Sequence, residues 1–229
     1  MVRTAVSKRR GAASWLLLGL AIALLAGCAL GEGERVKTLR ARAAYTAALR
    51  DLDERRVSTA LASLRQAVLL DPDEPEYHNT LGLVRLDLRD LPEAMAAFER
   101  AIALNPEHAD AHHNLGVALA QSERFEEAIQ EYQTALSLPL YRNAETAYYN
   151  LAVAQYRLGR LKQAEETLRR TLRLEPRMVA AHFQLGVILF ETGRRDRARG
   201  AFRRARDLAP GTPFAQAAGE YLKRLGEGG

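Results

Sequence analysis

Apolar and small residues recur at helical spacing along most of this chain, and the helical pattern itself repeats. Leu81-Gly82 returns as Leu115-Gly116, Leu151-Ala152 and Leu185-Gly186, at steps of 34, 36 and 34 residues. Ala94, Ala128, Ala164 and Ala198 keep the same steps, as do Phe98, Tyr132, Leu168 and Phe202. Pro106, Pro176 and Pro210 close three of the units. Projected back by 34, Ala60, Leu64, Ala67 and Pro72 stand where Ala94, Phe98, Ala101 and Pro106 stand later, with Ala47-Ala48 replacing the Leu-Gly pair. A period of this length marks stacked helical hairpins, whose terminal copies are often atypical. The pattern predicts five hairpins within 39–212, namely 41–74, 75–108, 109–144, 145–178 and 179–212. A further amphipathic stretch in 213–229 is expected to cover the last apolar face. The one irregular step lies between Leu136 and Ala147.

Each recurring position has a physical reason. Gly or Ala at the eighth position, and Ala at the twentieth and twenty-seventh, let helices approach closely. The large residue at position 24 fills the space between them. Proline stops the second helix because it donates no helical hydrogen bond. Gly159 and Gly193 fall in the turn inside a repeat, where a left-handed residue is wanted. Over about 170 residues these positions resemble the tetratricopeptide repeat. That resemblance implies an all-α, right-handed superhelical solenoid without cofactor, in which each repeat stacks on its neighbours. It also implies a concave groove lined by positions 5, 9 and 12 of each first helix. In the later repeats these positions hold Asn79, Leu83 and Leu86; His113, Val117 and Ala120; Tyr149, Val153 and Tyr156; and Phe183, Val187 and Phe190. The first repeat places Tyr45, Leu49 and Leu52 there. The row is apolar and becomes aromatic towards the C-terminus, which suits an amphipathic helix or an extended apolar segment of a protein partner. The alternative for each residue is cover by a neighbouring repeat or by the last helix.

The first 27 residues read as a signal peptide. Arg3, Lys8, Arg9 and Arg10 precede an uncharged run from Ala12 to Ala26. That run is about 15 residues, short of the roughly 20 that a membrane span requires. Leu25-Ala26-Gly27-Cys28 resembles the lipobox of bacterial lipoproteins. The resemblance implies a lipid-carrying Cys28, a flexible linker over 28–38 and attachment to a membrane. An uncleaved membrane helix is the other reading. Cys28 is the only cysteine, so it has no disulfide partner within the chain. By resemblance to lipoprotein sorting signals, Ala29 in place of Asp implies the periplasmic face of the outer membrane.

Charge sharpens this picture. The chain has 33 Lys and Arg against 28 Asp and Glu, a net charge of +5. Four of those basic residues precede Cys28, so from Cys28 onward the balance is 29 against 28. That leaves little argument for a nucleic-acid partner. The densest basic run, Arg194 to Arg206, reads either as a solvated helix face or as a contact for acidic lipid headgroups or an acidic partner.

Catalytic constellations are sparse. His78, His112 and His182 share position 4 of their helices, a packing position in this repeat. His108 and His112 have i,i+4 spacing, but His108 follows Pro106 and is expected outside the helix. Gly31-Glu32-Gly33 lacks the third glycine of a dinucleotide loop, since Val36 stands there. The pairs Glu126-Glu127 and Glu165-Glu166 open second helices, where acids favour the helix dipole, and are expected to face solvent. The expectation is a binding protein rather than an enzyme, with no metal and no small-molecule substrate.

The irregular step, Ala135-Leu-Ser-Leu-Pro-Leu-Tyr141 followed by Glu145, Ala147 and Asn150, resembles the corresponding linker of type IV pilus biogenesis lipoproteins. These are the pilotins of the PilF, PilW and Tgl kind, which are lipobox-bearing tetratricopeptide proteins. The resemblance implies a partner, the secretin subunit, whose outer-membrane assembly pilotins promote. The chain departs from that family in having five repeats plus a helix rather than six, and Arg142 where a proline often follows the tyrosine. The same segment also reads as a structural hinge, with Tyr141 filling a gap opened by two extra residues. The rival function is an envelope scaffold that recruits peptidoglycan-remodelling proteins.

Overall fold

The computed structural model describes residues 33–139 and 141–226. The signal segment, Cys28, Leu140 and the tail from 227 lie outside the described residues. Two compact units divide the chain after Tyr77.

The first unit holds α1 (33–53) and α2 (Val57–Leu70). Helix α1 already includes residues 33–38, which corrects the expected flexible linker there. Lys37 pairs with Glu34 one turn away, a local contact that favours helix over coil. Ala41 and Ala67 are fully buried and pack with Tyr77. The Tyr45 and Tyr77 rings lie 4.7 Å apart.

The second unit continues as antiparallel pairs. Helices α3 (Pro75–Asp87), which enters this unit at His78, and α4 (Leu91–Leu104) are followed by α5 (Ala109–Gln121) and α6 (Phe125–Ser137). Then come α7 (Ala144–Arg157), α8 (Leu161–Leu174), α9 (Val179–Glu191) and α10 (Arg195–Leu208), closed by α11 (Pro213–Arg224). The all-α solenoid expected from the repeat is the observed fold, and every regular element among the described residues is helical.

One device closes the turn in all five hairpins. The residue at position 15 has positive φ: Arg55 (58°), Arg89 (61°), Glu123 (61°), Gly159 (71°) and Gly193 (76°). The next residue then donates its N–H back five positions, as in Arg56 to Asp51, Asp90 to Arg85 and Arg124 to Leu119. Arg160 to Gln155 and Arg194 to Leu189 repeat the bond at 2.9 Å. This is the Schellman end of a helix, which satisfies a carbonyl the helix leaves open. The geometry lets the second helix start without a side-chain cap, as at Arg124, Arg160 and Arg194.

Packing between the paired helices rests on position 8 against position 24. Phe98, Tyr132, Leu168 and Phe202 are all at most 2 % exposed. The three aromatic members face Gly82, Gly116 and Gly186, and a Cβ there would come within 2.5–2.6 Å of the ring. Burying such rings removes roughly 150–250 Å² each from water, the largest local contribution to the core.

Candidate functional site

The side of the second unit formed by α3, α5, α7 and α9 carries the expected groove positions, and these do not share one fate. Leu83 is 41 % exposed, and Leu86 is half-buried beside it. Val117, Val153, Tyr149 and Tyr156 are half-buried. Asn79 and His113, by contrast, are buried, and Val187 belongs to the core with Phe202, so these three are not open groove.

The aromatic end needs a second correction. Phe183 packs against Phe214 at 5.7 Å and Tyr221 at 6.0 Å, and Phe190 meets Tyr221 at 5.3 Å. Both partners belong to α11, which lies over this end. Phe183 and Phe190 therefore serve the closing helix rather than an open surface. The physical cause is the apolar stripe of α11, which must be buried against something.

A polar ladder runs beneath the open part. Asn114 Nδ2 donates to Asn79 Oδ1 at 3.0 Å. One repeat later Asn150 Nδ2 donates to His113 Nε2 at 3.2 Å. With Nε2 accepting, the His113 proton sits on Nδ1, which faces the Tyr141 hydroxyl. Burial lowers the pKa of His113 and so favours this neutral ring. At the next step Gln184 Nε2 is buried without a hydrogen-bond partner. Tyr141 thus reaches the groove side from the irregular segment, and burial raises the pKa of its hydroxyl. The segment has a structural role whatever else it does. Leu140 within it lies outside the described residues.

The row at position 12 reads Leu86, Ala120, Tyr156, Phe190. At its smallest member the surface opens into a hollow of about 370 Å³ between α5 and α7. Val117, Ala120, Phe125, Tyr132, Val153 and Ala154 give it apolar walls. Gln121, Glu123, Asn150 and Arg157 supply the polar part of the lining. Arg157 lies over the Phe125 ring at 4.8 Å, fixing one wall. A neighbouring hollow of about 350 Å³ is lined by Leu83, Leu86, Asp87, Arg89 and Gln121. Beyond the hollows, Tyr156 donates to Glu191 at 2.6 Å, and this carboxylate pushes the Tyr156 pKa up to about 12. Sequence reading of positions 5, 9 and 12 misses Phe125, Gln121 and Arg157. The signal for the hollow was available in Ala120, the one small residue in its row.

The histidines are engaged in the fold. His108 caps α5, its Nδ1 accepting from Ala111 N at 3.3 Å. His112 lies 2.6 Å from Glu131 and 3.1 Å from the Pro106 carbonyl. His182 repeats the second contact with the Pro176 carbonyl at 2.9 Å. Among the described residues no three His, Cys, Asp or Glu gather where a metal ion could be held.

Glu165 corrects the expectation of a solvent-facing acid. It is 7 % exposed and accepts from Arg194 of the next repeat, at 2.8 Å for one of two bonds, and from Arg169 at 2.7 Å. The Arg194 bonds hold its pKa below the usual carboxylate value.

Residues 45–103, 79–147 and 149–213 match the family model described as tetratricopeptide repeat. No curated protein matches the chain in sequence. Among solved structures, PilF of Pseudomonas aeruginosa is 21 % identical with a TM-score of 0.70, over 84 % of this chain and 95 % of that one. PilW, described as a widely conserved type IV pilus biogenesis factor, is 22 % identical at 0.68, over 81 % and 91 %. MamA from Desulfovibrio magneticus RS-1 is 21 % identical at 0.68, over 74 % and 94 %. At these identities the likeness is one of fold.

Proposed function

The chain belongs to the tetratricopeptide repeat family, and from that premise we propose that it is a lipid-anchored periplasmic adaptor of the pilotin kind. In this reading Cys28 carries the lipid at the outer membrane, and the groove captures a secretin subunit and promotes its assembly there. The role is binding, not catalysis.

The observation that carries the adaptor reading is the hollow at Ala120. Its apolar walls and polar rim suit one apolar side chain of a protein segment laid along α5 and α7. Burying one such side chain contributes roughly 1.5–3 kcal/mol, enough to act as an anchor point. Support for the pilotin assignment is narrower. It rests on the lipobox-like Leu25-Ala26-Gly27-Cys28, on the segment that brings Tyr141 to His113, and on the fold shared with PilF and PilW.

The test is a chromosomal Ala120→Trp variant beside a deletion strain. A Trp at position 120 fills the hollow from the groove side. The expected outcome is loss of heat-resistant secretin multimers in both strains, with unchanged level and circular dichroism of the variant protein. Normal multimers in the deletion strain would overturn the pilotin assignment. Co-purification with murein hydrolases in place of secretin would put the scaffold role forward.

A further inference from the structure

The near-neutral balance after Cys28 conceals a strong segregation of charge. Residues 33–156 carry 13 Lys and Arg against 19 Asp and Glu, while residues 157–210 carry 14 against 6. Most of those six acids are already committed. Glu165 holds Arg194 and Arg169, Glu191 accepts from Tyr156, Asp196 accepts from Arg199, and Asp207 accepts from Arg206. The surplus is therefore guanidinium, and it is displayed. Arg173, Arg177, Arg195, Arg197 and Arg204 are exposed on α8, on the turn after it and on α10. Arg194 at the start of α10 pairs with Glu165 of α8, which holds the two helices together beside this charge.

We propose that the outward face of α8 and α10 docks on a membrane surface bearing anionic phospholipid headgroups. One observation calls for an oxyanion and a second for a surface. The cations are almost all arginine, 13 of the 14 in residues 157–210, and guanidinium grips a phosphate through two parallel hydrogen bonds where ammonium offers a point charge. The charges are also spread over the outer sides of two helices and a turn, with Leu174 standing 52 % exposed among them. A basic surface with an interspersed apolar side chain fits a headgroup plane. This goes beyond the adaptor reading and stands without the lipid on Cys28. With both, the chain would be held at two places and the groove oriented relative to the bilayer.

The experiment uses the chain from residue 28 onward with Cys28→Ser and Gly200→Trp, which leaves out the apolar run Ala12 to Ala26 and makes the only tryptophan report on α10. Gly200 is exposed and a Cβ there meets nothing within 4 Å, so the reporter is tolerated. Energy transfer to dansyl-labelled lipid is read with vesicles of phosphatidylcholine alone and with added phosphatidylglycerol. Strong transfer is expected only with the anionic lipid, and it should collapse in high salt. Each surface arginine near an anionic membrane adds about fivefold to the docked-to-free ratio. Arg173→Gln/Arg197→Gln/Arg204→Gln should therefore lower the ratio roughly a hundredfold, while the same three positions changed to Lys should fall between the two, keeping the charge and losing the paired hydrogen bonds. Equal transfer on phosphatidylcholine alone, or transfer unchanged by the triple Gln variant, would overturn the proposal. So would binding of polyglutamate with no lipid response, which would make this face a site for an acidic protein.

Discussion

Gly116 and Tyr132 form a matched pair: a Cβ on Gly116 would lie 2.6 Å from Cε1 of the Tyr132 ring, which is 2 % exposed. The same match holds for Gly82 with Phe98 and Gly186 with Phe202. Where position 24 is Leu168, position 8 is Ala152, and the two share one buried cluster. Ala48 and Leu64 occupy the same two positions in the first unit. Glycine goes with a ring and alanine with leucine.

The pairing predicts a double-mutant cycle. Gly116→Ala alone should destabilise by about 1–3 kcal/mol, because overpacking outweighs the roughly 1 kcal/mol gained in helix propensity. In a Tyr132→Leu background the same change should cost little or even stabilise. Urea unfolding of the four proteins should give a coupling of at least about 1 kcal/mol. Additive effects would mean that the ring moves aside freely.

Much of the fold was readable because these contacts leave a residue-type signature at fixed spacing. The turn residue was only partly readable. Gly159 and Gly193 announce a left-handed position, but Arg55, Arg89 and Glu123 adopt the same φ without any sign in their chemistry. Only alignment of the five turns exposes them.

That row makes opposite predictions at equivalent sites. Gly159→Ala should destabilise by about 1 kcal/mol, since an L side chain in this region costs roughly 1–2 kcal/mol. Glu123→Gly relieves the same strain but frees the unfolded chain, so it should be neutral or stabilise by up to about 1 kcal/mol. Thermal melts of the two variants suffice. Destabilisation by both would show that the Glu123 side chain contributes more than its backbone costs.

The site was legible to a lesser degree. Position numbers picked out Leu83, Val117, Val153 and Tyr156, but whether a position stays open depends on what folds over it. Phe214 and Tyr221 of α11 decide this for Phe183 and Phe190, and that is a tertiary fact. Phe183→Ala should therefore behave as a core change and cost about 2–4 kcal/mol. Leu83→Ala, at an exposed position, should cost less than about 1 kcal/mol. Urea midpoints compare the two directly. A small loss at Phe183 would return that residue to the groove.

His112 and His113 are neighbours that titrate in opposite directions. The Glu131 hydrogen bond, 2.6 Å away, raises the pKa of His112 above the ordinary 6.5, with the Pro106 carbonyl adding to it against the opposing effect of burial. Burial lowers the pKa of His113 below 6.5. For His112 the stabilisation is complete below the unfolded value and fades as pH rises through the folded value. For His113 it is complete above the unfolded value and is lost as pH falls towards the folded one. The two together predict a shallow stability maximum near the ordinary histidine pKa, about 6.5. Urea midpoints between roughly pH 5.5 and 8.5 would trace it, a window above the main carboxylate titrations. His112→Gln should flatten the alkaline arm. His113→Asn should flatten the acid arm while leaving a side-chain partner for Asn150, as Asn79 provides for Asn114. An unchanged profile in both variants would place the pH dependence elsewhere. Swapped arms would mean that the charged ring is His113, and the hydrogen bond assigned from Asn150 would have to be reversed.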